Sequence, residues 1–187
     1  ALAIGYHKPT IGHPDDFVFD VIDEVLTEGV TSRLYSTLVR DKRLAASVLS
    51  DTNYPGVRAP NLFVIAATPL APHTTPEVES AIYEELDRLK AEPISTKEFE
   101  RVLNGLDADL VRSLRSNSGL ASQLAFYQTV AGTWRYVLNA RDRIAAVTPA
   151  DVQRVAAQYL TKPNRTVGVL VKKAQDKKMA AAGEVAR

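Results

Sequence analysis

The order of apolar segments predicts an α+β domain, a mainly antiparallel sheet with helices packed on one face. Three observations lead there. Short segments with strand-like alternation or apolar runs lie at the start, near residues 45–68 and near 166–172. Segments with apolar residues every three or four positions, most with start signals, stand between them. From Phe99 to about Tyr159 the periodicity is helical throughout, with no convincing strand.

Leu2, Ile4 and Tyr6 share one face of an extended segment that His7-Lys8-Pro9 ends, because proline has no N–H for a ladder. After Pro14-Asp15-Asp16, the positions Phe17, Val18, Val21, Ile22, Val25 and Leu26 define an amphipathic helix that Gly29 stops. A second helix is expected from Thr31 or Ser32, whose hydroxyl can cap free N–H groups. It carries Leu34, Leu38 and Val39 and ends near Lys42. Ala45 to Tyr54 and Asn61 to Thr68 read as paired strands around Pro55-Gly56, with Leu62-Phe63-Val64-Ile65 expected to be buried on both sides.

Thr74-Thr75-Pro76-Glu77 combines a cap, an early proline and a returning carboxylate ahead of Val78, Ile82, Leu86 and Leu89. Ser95-Thr96-Lys97-Glu98 repeats that start before Phe99, Val102, Leu106 and Leu110. Breaks at residues 116–119, 132–133 and 148–149 divide the helical run, and Thr148-Pro149-Ala150-Asp151 opens its last member. Thr166 to Val171 forms a closing strand, and Lys172 to Arg187 has few large apolar residues, as in a flexible tail.

The 187 residues are 45% hydrophobic, enough for one domain with its own core. Lys and Arg number 23 against 22 Asp and Glu, interspersed, so neither nucleic acid nor an anionic membrane is an expected partner. No apolar run approaches the roughly 20 residues that cross a bilayer. Without cysteine there is no disulfide or thiolate site, and either redox compartment is compatible. The opening residues alternate as in a strand without an initiator Met, the pattern of a piece of a longer product.

Only His7, His13 and His73 are present, and none has the H-x-x-E-H or H-x-x-x-H spacing that aims two imidazoles at one metal. They read as loop or exposed histidines. There is no G-x-S-x-G, P-loop or G-x-G-x-x-G. Glu84, Glu85, Asp87, Glu98 and Glu100 read as solvated helix faces, and Trp134 and Tyr136 as core or interface anchors. No catalytic and no metal-binding residue is expected.

One arrangement is more specific than its parts. Gly29-Val30-Thr31-Ser32-Arg33-Leu34-Tyr35 is followed by Leu38-Val39-Arg40-Asp41-Lys42 and then by Leu44-Ala45-Ala46-Ser47-Val48. In order and spacing it resembles the segment after the first helix of insulinase/pitrilysin-type metallopeptidase C-terminal domains, where G-x-x-S-R-L-Y, L-R-x-K and L-A-Y-S-V succeed one another. The likeness also takes in Gly5-Tyr6 and Pro9, Thr96 with Glu98-Phe99-Glu100-Arg101, and Thr148-Pro149-Ala150-Asp151-Val152 with Tyr159-Leu160.

The resemblance implies a domain over residues 1–172, with a tail at 173–187. It implies a sheet of about six strands with helices on one face, one of two such domains in a half-shell. Zinc would then belong to an H-x-x-E-H site in a separate N-terminal domain of the same protein or in a homologous partner subunit. Two half-shells close around an unfolded peptide, and this chain would be the zinc-free domain. A scaffold subunit of the same fold is the alternative, and an unrelated α+β interaction module would show another strand order.

Peptide-cleaving members carry here an Arg and a Tyr that hydrogen-bond the substrate near the scissile bond. Arg40 matches that Arg as the candidate substrate-binding residue, whereas Ala46 stands at the Tyr position. Ser32, Arg33, Leu34 and Tyr35 match the structural motif, with Tyr35 expected to pack. Arg33, in a first helical turn where a cation is disfavoured, needs a partner. Arg40 equally suits a helix C-terminus, paired with Asp41 or another carboxylate.

Overall fold

The initial alternation becomes β1, Leu2–Lys8, in which Leu2, Ile4, Tyr6 and Lys8 point inward and are buried. β2, Ala45–Tyr54, and β3, Asn61–Pro69, form the expected antiparallel pair, and β1 then pairs antiparallel with β3. The chain end returns as β4, Arg165–Val169, antiparallel to β1, so the sheet order is β2-β3-β1-β4. These relations come from a computed structural model that describes residues 1–171. Position 172 and the tail expected at 173–187 lie outside the described residues.

Six α-helices complete the fold among the described residues: α1 Pro14–Leu26, α2 Thr75–Ala91, α3 Thr96–Leu114, α4 Asn117–Val130, α5 Tyr136–Ala145 and α6 Pro149–Tyr159. Their starts follow the cap chemistry in the sequence. Thr74 with Glu77, and Thr148 with Asp151, close capping boxes, and Ser95 Oγ accepts from the Glu98 N–H. His13, exposed and just outside the helix, caps α1 through Nδ1, 3.1 Å from the Asp15 nitrogen.

α1, α2 and α6 lie against the sheet. Phe19, Ile22, Val25 and Leu26 of α1, with Ile82 and Leu89 of α2 and Val152 and Val155 of α6, are fully buried against Ile4, Phe63 and Ile65. Each such large side chain contributes about 1.5–3 kcal/mol through lost water contact. α3 and α5 pack on α1 from outside, and α4 bridges them without fully burying any residue.

Four features differ from the sequence reading. The sheet has four strands among the described residues, not about six, because every other segment is helix or turn. Leu62 and Val64 are half-buried, not covered on both sides, since helices cover only the face that Phe63 and Ile65 occupy. The segment expected as a second α-helix is a π-helix over Tyr35–Asp41. Leu34 and Leu38, both fully buried, are four apart, and over so short a stretch that spacing fits either helix type. Ser32 does not cap: its hydroxyl donates to the Gly29 carbonyl at 2.8 Å.

Candidate functional site

The residues Gly29 to Val48 build one continuous corner of the fold. Gly29, at φ 78, turns the chain after α1 in the left-handed region that glycine tolerates. Ser32, fully buried, accepts the Ser36 N–H on its carbonyl at 2.9 Å and so joins the turn to the π-helix. Leu34 and Leu38 anchor that helix in the core, with Tyr35 partly buried beside them. On the opposite side Thr37 donates to Glu85 Oε1 at 2.9 Å. Glu85 is only 2% exposed and Glu98 is half-buried, so neither lies on a solvated face as the sequence suggests.

Arg33 meets a carboxylate from another element. Its Nε and one terminal nitrogen donate to the two Glu98 oxygens at 2.9 and 2.7 Å, a bidentate pair between the start of this corner and α3. Those bonds from Arg33 hold the Glu98 carboxyl below its usual range.

Arg40, in the last turn of the π-helix, is exposed and forks onto its neighbour Asp41, Nε to Oδ1 at 2.7 Å and a terminal nitrogen to Oδ2 at 3.1 Å. An exposed pair of this kind opens readily in water, so the guanidinium can exchange Asp41 for another acceptor. The chain then turns through Arg43, whose φ of 51 is uncommon for a side-chain-bearing residue, into β2. Ala46 sits at a register shift between Ala45 and Ser47, and Ala46 and Ser47 are both exposed. β-Bulges re-aim side chains next to binding sites. β2 is also an edge strand, with one ladder side unpaired among the described residues.

A second polar group was not foreseen from the sequence. Lys8, with a fully buried side chain, points from β1 to Asp16 of α1, Nζ to Oδ1 2.5 Å, and lies 5.5 Å from the Phe19 ring centroid. Asp20 and Asp23 follow on the same helix. Burial, with Asp16 nearby, pushes the Asp20 carboxyl up to about 7. Burial pushes Asp23 up to about 6 although Ser50 donates to it. Glu24 is raised by burial and by Glu28 to about 7. A buried lysine on a strand and acids on the next helix carry no sequence spacing that would reveal them.

These shifts set the pH dependence of stability. Between about pH 4 and 7 the unfolded chain has lost protons that folded Asp20, Asp23 and Glu24 keep, so stability falls as pH rises, by up to about 1.4 kcal/mol per pH unit per group. Asp15, held down by Arg154 and Tyr159 against the effect of burial, works in the opposite sense, as do Glu98 and Asp151. Their contribution is complete above about pH 4 and is lost as pH falls through their depressed values. Urea unfolding across pH should therefore show a maximum near about pH 4, and a maximum near about pH 8 would contradict the burial of the three raised carboxyls.

The histidines stand on separate elements, His7 exposed on β1, His13 at the α1 cap and His73 in the turn before α2. Among the described residues no three His, Cys, Asp or Glu side chains gather to hold a metal ion. The donor set of this corner, guanidinium, hydroxyl and backbone, suits hydrogen bonding rather than ligation of zinc.

Comparison with known proteins gives the corner its context. A family model described as the peptidase M16 inactive domain matches residues 1–106, which contain the whole corner. The zinc protease PqqE of Helicobacter pylori is 27% identical over 158 residues, 84% of this chain and 35% of its own length. The chain thus spans about a third of the curated relatives it matches. The solved structure of a Helicobacter pylori protease superposes with a TM-score of 0.82 at 26% identity, covering 89% of this chain and 39% of that one. An inactive peptidase domain from Bordetella parapertussis superposes at 0.79 with 27% identity, covering 91% of each chain. Match, fold and motif order agree: the chain belongs to the peptidase M16 inactive-domain family.

Proposed function

We propose that this chain is the zinc-free domain of a zinc metallopeptidase assembly and helps to enclose an unfolded peptide. The zinc chemistry then resides in an N-terminal domain of the same protein or in a homologous partner subunit. The observation that carries the reading is the exposed Arg40 guanidinium at the end of the π-helix, a few residues before the bulged, open-edged strand β2. An extended peptide offers carbonyl oxygens that a guanidinium can bind and a backbone that an open edge can pair. Arg40 would hold the peptide while zinc, supplied elsewhere, polarises the carbonyl and its bound water.

Ala46 limits what this domain can do alone. A methyl group cannot donate to a developing oxyanion, and loss of one such oriented donor costs about 3–4 kcal/mol in the transition state. In an active assembly a partner subunit would therefore supply the complete Arg and Tyr pair. Arg40→Ala in the full-length assembly is then expected to lower kcat/KM for an unfolded peptide less than about tenfold. A larger loss, with unfolding behaviour unchanged, would overturn the partner-supplied pair and make Arg40 the working donor. Ala46 also favours a second reading, a scaffold subunit without turnover, and an assembly lacking H-x-x-E-H in both subunits would establish it.

A further inference from the structure

On the sheet edge formed by β4, α2 and the 3₁₀ turn Lys162–Asn164 border a cavity of about 240 Å³. We propose that this cavity is a binding site for a small oxyanion, held between the Arg165 guanidinium and the Lys162 ammonium. It lies apart from the Arg40 corner and does not depend on the peptide reading.

The fold brings the groups together from four elements, β1, α2, the 3₁₀ turn and β4. Tyr6 of β1 stands opposite Arg165 in the ladder, and its buried phenol lies beside that guanidinium. Tyr83, Asp87 and Lys90 recur on one face of α2 at four- and three-residue steps. The Arg165 guanidinium carbon lies over the Tyr83 ring, 4.0 Å from its centroid, and Tyr83 directs its own hydroxyl to Glu79 at 2.6 Å. The ring face and the Tyr6 phenol hold the guanidinium in place, and it has five N–H donors, more than the phenol can occupy.

The charges are unbalanced. Lys90 is occupied, 2.6 Å from Asp87 and 3.2 Å from the Leu160 carbonyl. Arg165 and Lys162 have no carboxylate within ion-pair distance among the described residues. Three cationic side chains and one carboxylate line the cavity, leaving two positive charges. A guanidinium beside a second cation suits a carboxylate or phosphate group, which it can bind through two parallel N–H bonds. The cavity is below the roughly 300–1,000 Å³ of drug-sized sites, so it suits a terminal anionic group or a free ion.

The test is an NMR titration of the chain at constant ionic strength, in one arm with inorganic phosphate and in another with acetylglycine and its amide. Saturable shifts are expected at the Arg165 Nε–H and at residues 162–165, with a Kd of about 1 mM. Phosphate binding more tightly than acetylglycine would assign a phosphate group, and the reverse order a chain-terminal carboxylate. Arg165→Gln should weaken binding at least about tenfold. If that variant does not fold, Lys162→Ala, at an exposed position, decides the matter through a loss of about threefold or more. Binding of neither probe, equal binding of the amide, or unchanged affinity in the folded variants would overturn the site.

Discussion

Lys8→Met is expected to destabilise the chain by about 3–5 kcal/mol at pH 8, the cost of leaving a buried charge partner uncompensated. Lys8 has a fully buried side chain and is bonded to Asp16, and its charge also favours the ionised forms of Asp20 and Asp23. Met has similar length and no charge, so packing against Phe19 survives while the ammonium disappears. At pH 5 the loss should be smaller, because Asp20 and Asp23, raised to about 7 and about 6, are then protonated and only Asp16 is stranded. Urea unfolding of both proteins at the two pH values measures the difference. Adding Asp16→Asn should recover part of the loss, since it removes the stranded charge. An equal loss at both pH values would show that Lys8 does not act on Asp20 and Asp23, and a loss that Asp16→Asn leaves unchanged would show that it acts through packing.

Removing Arg33 should have the next largest effect, about 3 kcal/mol for Arg33→Ala, from a charge-assisted bidentate pair screened from solvent by its neighbours. The pair is 16% and 20% exposed and links residues 65 apart in sequence. Arg33→Lys should restore less than half, because an ammonium cannot make two parallel bonds to one carboxylate. A double-mutant cycle with Glu98→Gln should return a coupling above about 1 kcal/mol. The stabilisation should vanish as pH falls through the depressed Glu98 value, where the carboxylate is protonated. A folded Arg33→Ala protein within about 0.5 kcal/mol of the parent would mean that α3 is held in place by other contacts.

The sequence by itself determined which segments are strands and where most helices begin. Alternation at Leu2, Ile4 and Tyr6, and the capping residues Thr74, Ser95 and Thr148, act through neighbours in the chain, and local chemistry is written in local order. The motif from Gly29 to Val48 was legible for the same reason, and it carried the family assignment. Tertiary structure alone decided the rest. Whether Leu62 faces a helix or the open side of the sheet depends on which face the helices cover, and periodicity cannot say. That Arg33 meets Glu98, Lys8 meets Asp16 and Arg165 lies on Tyr83 depends on packing between distant elements. A charged side chain shows in sequence that it needs a partner; which carboxylate or ring reaches it is decided by folding, through the cost of burying it unpaired.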